Sequence, residues 1–472
     1  MKEHSNQLVY VIWLSLVASL GGFLFGYDTA VISGTVDQVS RQFSLDDITK
    51  GWYVGCALAG SIAGVMVAGS MSDRFGRKIV LIISAVLFSL SGIGCMIAAD
   101  EVQLVIARIL GGVGIGVASV ISPLYIAEIS VPSFRGRLVS MYQLAITVGF
   151  LGAYLANFGL LQYSETLLKN GDVSGLYGKV FATEVWRGML GMEAVPALLF
   201  FIVLFFIPES PRWLVVKGEE KKASSILNRI YGKDEALIQV DNIKNLIASE
   251  TETNWRMLFL PGFRLALFIG VALAMLGQLM GVNAVLYYGP TIFKESGLSS
   301  GDSLFYQVLV GLVNMLTTVL ALIIIDKVGR KQLVYWGVSG MIISLLLIGF
   351  YFGKGAELGI PHLYLLIFFL FYIFCCAISI CAVIFVLLSE MYPVKVRGAA
   401  MSIAGLSLWI GTYLIGQLTP VMLTAFTPAG TFLLFALMCI PYILIVWKLL
   451  PETTGKSLEE IEEMWIKKGK NE

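Results

Sequence analysis

The chain has 472 residues, 57% of them hydrophobic and only 14% charged. A soluble domain carries about 25% charged residues, so nearly half the charge that a solvated surface needs is missing. A formal net charge of +1 excludes a nucleic-acid-binding field. A mean hydropathy of +0.82 identifies an integral membrane protein embedded in a lipid bilayer.

The first apolar run begins near Leu8 with only Lys2 as a basic residue before it, and it is too long for a signal-peptide core. It is read as a retained first transmembrane helix. A span needs about 20 mostly apolar residues. In chain order the predicted spans are 9–33, 52–72, 79–98, 103–127, 139–161, 187–207, 265–288, 304–325, 333–352, 362–388, 400–423 and 429–450. The polar stretch between the sixth and seventh carries two amphipathic patterns, Glu219 to Ile230 and roughly Glu235–Ile247. The expected class is therefore an all-α membrane protein of twelve transmembrane helices. Its parts are a six-helix half over 1–207, a cytoplasmic helical linker over 208–262, a second six-helix half over 263–450 and a cytoplasmic tail over 451–472.

Basic residues orient the chain. With the N-terminus inside, the inside segments hold 24 Lys and Arg against six outside, namely Arg41, Lys50, Lys169, Lys179, Lys294 and Lys354. The positive-inside rule then places both termini in the cytoplasm.

The chain also repeats itself. Asp73-Arg74-Phe75-Gly76-Arg77-Lys78 after the second span returns as Asp326-Lys327-Val328-Gly329-Arg330-Lys331 after the eighth. Glu128 with Arg135-Gly136 returns as Glu390 with Arg397-Gly398, and Pro208-Glu209-Ser210 as Pro451-Glu452-Thr453. Three matches in one order, at offsets of 253, 262 and 243 residues, describe two halves of one design with a central site expected between them.

These motifs resemble the sugar porter family of the major facilitator superfamily. Added to them are Gly21-Gly22-Phe23-Leu24-Phe25-Gly26-Tyr27-Asp28, Arg108-x2-Gly111-Gly112-x-Gly114-x-Gly116, Pro208-Glu209-Ser210-Pro211-Arg212-Trp213-Leu214 and Gln278-x2-Gly281-x-Asn283-x3-Tyr287-Tyr288. The likeness is greatest to the bacterial D-xylose–proton symporters and more distant to the animal facilitative glucose transporters. It covers essentially the whole chain and implies the major facilitator fold, alternating access and a bacterial inner-membrane location.

Asp28 lies inside the first span, where an ionised carboxylate costs about 3 kcal/mol on insertion scales. Arg108 in the fourth span is its obvious partner, and the resemblance pairs the two positions. A carboxylate balanced between an arginine and a dry pocket takes up and releases a proton as its surroundings change. The resemblance makes such an aspartate the mark of proton coupling; the alternative is a fixed ion pair holding two helices in register. Asp73, Arg77, Glu128 and Arg135 recur as Asp326, Arg330, Glu390 and Arg397, and Arg74 stands beside Asp73 where the second copy has Lys327. The resemblance gives these charges a gating role, bridging the halves in one state and parting in the other.

A sugar presents a ring of hydroxyls and one weakly apolar face, so its site wants amides, which donate and accept at once, beside aromatic rings. Gln143, Gln278, Asn283 and Asn314 are the amides that fall on the family's sugar-contacting positions, with Tyr287, Tyr288, Phe23, Phe385 and Trp409 as ring candidates. The family's paired glutamine is Gly277 here. Its glycine–proline hinge and stacking tryptophan in the tenth span are replaced by Cys381-Ala382-Val383-Ile384-Phe385, and its eleventh-span amide by Leu408. The second half of the pocket is thus expected to be greasier and roomier than a glucose or xylose site.

Other motifs carry no function of their own. Gly455-Lys456-Ser457 lacks the first glycine of a phosphate loop, since position 450 is Leu450. The glycines at 111–116 suit close helix packing. Cys56, Cys95, Cys375, Cys376, Cys381 and Cys439 all lie in apolar runs and read as small apolar fillers. With only His4 and His362 as histidines, neither a catalytic triad nor a metal site forms. The expectation is a monomeric, non-enzymatic transporter of a monosaccharide or polyol, without organic cofactor or metal and with the proton as coupling ion. A facilitative uniporter and a nutrient sensor are the alternatives.

Overall fold

The computed structural model describes residues 2–132, 134–171, 174–249, 258–260, 263–392 and 396–450. Among the described residues there is no β-strand; a helix satisfies every backbone amide within its own segment, which suits a chain in lipid.

Twelve helices are long and apolar enough to cross a membrane. They are α1 (Gln7–Phe43), α2 (Asp47–Phe75), α3 (Arg77–Ile97), α4 (Glu101–Ile129), α5 (Arg135–Asn170), α6 (Val185–Leu204), α7 (Phe263–Glu295), α8 (Ser300–Ile325), α9 (Arg330–Gly355), α10 (His362–Met391), α11 (Arg397–Ala425) and α12 (Thr427–Lys448). Every predicted span has its helix. Several run well past the apolar window: α1 continues ten residues beyond position 33, because polar residues outside the hydrocarbon still favour helix.

Small residues set the helix spacing. A Cβ on Gly112 would lie 1.9 Å from the Ala57 carbonyl oxygen and one on Gly116 2.1 Å from that of Ser61, so α4 seats directly on α2. Gly26 and Gly149 do the same for α1 and α5, at 2.0 Å from the Ile146 oxygen and 2.1 Å from the Phe23 oxygen.

Contacts divide the chain into two units. The first runs to Thr35 and from Cys56 into the central polar stretch; the second holds Val36–Gly55 and the chain beyond that stretch. The polar stretch forms three helices, Pro211–Val216, Glu220–Tyr231 and Lys233–Ser249. Leu214, Val215, Ala223, Leu227, Ala236 and Val240 make its small core. The segment 451–472, with its expected tail and Pro-Glu-Thr motif, lies outside the described residues.

The sequence repeat reappears as geometry. Gly76 between α2 and α3 and Gly329 between α8 and α9 have φ of 95° and 93°, a region open to glycine and strained for other residues. Lys78 Nζ donates to the Phe205 oxygen at 3.0 Å in the first unit, and Lys331 Nζ to the Leu450 oxygen at 3.0 Å in the second.

Candidate functional site

Three transmembrane helices of the first unit bring charge into one buried place. Asp28 of α1 is fully buried and Arg108 of α4 is 2% exposed; the arginine Nη1 donates to the aspartate Oδ1. The pair forms because α4 comes close: a Cβ on Gly111 would lie 2.4 Å from Ser91 Oγ and 3.3 Å from Asp28 Oδ2.

Glu193, absent from the sequence expectations, is the third member. It occupies the interruption of α6 between Val185–Gly191 and Ala194–Leu204, is 1% exposed, and neighbours the Asp28 carboxyl. Asp28 Oδ2 and Glu193 Oε1 are buried without a donor among the described residues. Two facing carboxyls complete a hydrogen bond only when one carries a proton, since an ionised carboxylate only accepts. The signal for Glu193 was available: a lone carboxylate in the sixth span is as expensive as Asp28.

The second unit holds the amides. α7 breaks between Phe263–Leu279 and Val282–Glu295 at Gly281, whose φ is 90° and whose missing Cβ would lie 2.3 Å from the Phe435 ring. Tyr372 steadies the break by donating to the Met280 oxygen at 2.7 Å. On either side, Gln278 Oε1 accepts from Asn283 Nδ2 at 2.7 Å and from Thr412 Oγ1 of α11 at 3.1 Å. Gly411 permits this approach, since its Cβ would lie 3.0 Å from that of Gln278. Thr412 is one helical turn past Leu408, whose carbonyl at 2.9 Å shares the single hydroxyl hydrogen of Thr412 with Gln278. A hydroxyl thus reaches Gln278 from the helix that has lost the family's amide. Sequence reading missed it because span hydroxyls commonly bond their own helix, as Ser15 bonds the Val11 oxygen.

The other candidates are distributed as follows. Asn283, Tyr287, Tyr288, Asn314 and Trp409 are buried, and Tyr288 donates to the Gly416 oxygen at 2.6 Å. Phe385 is 51% exposed. In the first unit Gln143 is half-buried, and Phe23 packs 6.0 Å from the Tyr27 ring.

The repeated charges pair within each unit. Arg77 Nε and Nη2 meet the two oxygens of Glu128 at 2.9 and 3.0 Å, and Nη1 reaches Asp73 at 3.2 Å. Glu209 accepts from the Arg77 and Lys78 amides at 2.8 and 3.2 Å, which caps α3, and from the neighbouring Ser210 amide at 2.8 Å. In the second unit Arg330 Nη2 meets Glu390 Oε1 at 2.8 Å, and Arg397 Nε donates to the Tyr392 oxygen at 3.3 Å. Arg74 and Arg135 are exposed. The Asp326 side chain lies outside the described residues.

A further charge cluster lies on the second unit. Asp37 accepts from Lys294 Nζ and Thr291 Oγ1 at 2.8 Å each, with Lys50 at 3.9 Å.

Comparison with known proteins agrees with this architecture. The family model described as sugar (and other) transporter matches residues 14–465. The arabinose-proton symporter of Bacillus subtilis (strain 168) is 40% identical over 463 residues, 98% of this chain and 97% of that one. The D-xylose-proton symporter of Escherichia coli (strain K12) is 38% identical over 489 residues, 97% and 96% of the two chains. The inward-open structure of the E. coli xylose transporter XylE matches with a TM-score of 0.82 at 36% identity, covering 97% of this chain and 100% of that one.

Proposed function

The chain belongs to the sugar transporter family, and we propose that it is a proton-coupled monosaccharide symporter working by alternating access. It is a multi-pass membrane transporter and not an enzyme. The observation that carries the proton reading is the buried Asp28–Arg108 pair with Glu193 facing it. Arg108 offsets one negative charge, so two ionised carboxylates would leave a buried net charge, which is costly in a dry site. One resident proton removes that cost, and its release as the surroundings open to water couples proton to solute movement.

For the solute, the supporting arrangement is Gln278 with Asn283 and Thr412. Gln278 holds its carbonyl in two hydrogen bonds and leaves its NH2 to donate to a hydroxyl. Gly277 and Leu408 remove two amides, so fewer hydroxyls are read; the pentose class is supported by the relatives named for arabinose and xylose. Charge bias supports an inner-membrane protein with both termini cytoplasmic.

The test is uptake into proteoliposomes across a panel of pentoses, hexoses and polyols, with and without an inward proton gradient. Accumulation of a pentose above its outside concentration, only under the gradient, is expected. Uptake that merely equilibrates whatever the gradient would overturn proton coupling and leave a uniporter. Silence across all sugars and polyols would overturn the solute class.

A further inference from the structure

The tenth helix carries a pair of thiols that the transport reading does not use. Its first part ends at Cys376, and Ala377–Cys381 then form a π-helical turn before the helix resumes at Ala382–Met391. A π turn advances five residues per hydrogen bond, so residues 376 and 381 stand on one side of it. Cys376 Sγ and Cys381 Sγ are 3.7 Å apart. Both are free thiols; Cys376 is buried and Cys381 half-buried.

At 3.7 Å the two sulfurs are in non-bonded contact, and a single thiophilic atom can bond to both with little movement: two bonds of about 2.3 Å at the roughly 90–100° angle of a pyramidal trivalent centre hold their sulfurs about 3.3–3.5 Å apart. Thiolates also select soft centres over hard ones. Among the described residues no group of three His, Cys, Asp or Glu is placed to hold a metal, so a four-ligand zinc site is excluded. A centre that brings its own remaining substituent and asks the protein for two sulfurs fits.

We propose that Cys376 and Cys381 form a vicinal dithiol site for trivalent organoarsenicals and like electrophiles that bridge two thiols. With an aryl arsenic(III) oxide, two S–H bonds and the arsenic–oxygen double bond break, two As–S bonds form, and the oxygen leaves with both protons as water. Arsenic stays trivalent and no oxidant is needed. The reagent is neutral and apolar, suited to a half-buried thiol inside a membrane helix.

The bridge spans the π turn and fixes its register. That turn packs on the amide-bearing helix: a Cβ on Gly277, beside Gln278, would lie 3.3 Å from Ile380 Cγ2. Stapling it therefore arrests transport. This last consequence rests on the transport reading; the covalent site does not.

The experiment treats purified full-length protein with phenylarsine oxide and reads intact mass, peptide mapping and, in proteoliposomes, solute exchange. One phenylarsenic group per chain is expected, on the peptide that holds both cysteines. It should be removed by ethanedithiol but not by an equal thiol concentration of 2-mercaptoethanol. C376S and C381S should each lose the adduct and keep exchange that the reagent no longer blocks. No adduct, or one mapping to Cys56, Cys95, Cys375 or Cys439, overturns the site, and mapping on the parent protein decides this even where a variant fails to fold. An adduct at the pair with undiminished exchange overturns the arrest alone.

Discussion

Glu193 faces Asp28 from a break in α6, so the charge centre of the first unit is a pair of carboxyls sharing one arginine. A lone Asp28–Arg108 bridge would be electrically complete and could serve as a fixed strut. A second carboxyl without a second cation changes that. The centre then has one negative charge beyond what Arg108 offsets, and a proton is the counterion that fits between two oxygens.

Asp28→Asn removes the acid and keeps its shape. Proton-driven accumulation should vanish, while counterflow exchange of labelled solute survives. Proteoliposome uptake under an imposed gradient checks this, and continued accumulation by the variant would show that the coupling proton sits elsewhere.

Glu193→Gln preserves size and a hydrogen-bonding group beside Asp28 without a second ionisable carboxyl. Binding should persist, and the pH profile of gradient-driven uptake should shift from that of the parent. Initial rates measured from acid to alkaline buffer decide it. Superimposable profiles would leave Glu193 as packing only.

The fold was legible because its signals are long and repeated. Twenty-residue apolar runs have one solution in lipid, and Gly76 and Gly329 announce matched turns through a motif that recurs. The charge centre was half legible: Asp28 and Arg108 stand in motifs inside spans, whereas Glu193 lies inside the sixth span but in none of those motifs. Thr412 was not legible, since nothing in sequence tells a hydroxyl bonding its own helix from one that also reaches across to Gln278. The cysteine pair was hidden for another reason. Residues five apart diverge on an α-helix and converge only on a π turn, which composition does not announce.

Thr412→Val deletes the hydroxyl that holds Gln278 Oε1 at 3.1 Å and preserves shape. One hydrogen bond contributes about 1 kcal/mol, so the solute Kd should rise roughly fivefold. Gln278→Ala, which also removes the donor to the solute, should cost more. Isothermal titration or thermal shift on both variants checks the order, and an unchanged Kd in Gln278→Ala would remove Gln278 from the site.

Gly281→Ala places a Cβ 2.3 Å from the Phe435 ring at a φ of 90°. The left-handed backbone costs roughly 1–2 kcal/mol and the overpacking roughly 1–3 kcal/mol, so the variant should melt well below the parent. Gly159→Ala is the control: it meets nothing within 4 Å and sits in the middle of α5, where alanine is the better helix former. It should melt at or above the parent temperature. Equal melting of the two variants would mean that the α7 break does not depend on its glycine.

The two copies of the charge motif should differ in strength although their sequences match. Arg77 grips both oxygens of Glu128, with side chains 10% and 5% exposed, whereas in the Arg330–Glu390 pair the figures are 12% and 24%. Water screens the second pair more, and exposed pairs contribute about 0–1 kcal/mol. Removing one partner of a buried pair strands the other charge at a cost of about 3–5 kcal/mol. Glu128→Gln should therefore destabilise more than Glu390→Gln, and a double-mutant cycle with Arg77→Gln should give the larger coupling energy. Chemical denaturation of the single and double variants measures both couplings. Equal values would mean that burial does not set the strength of these bridges.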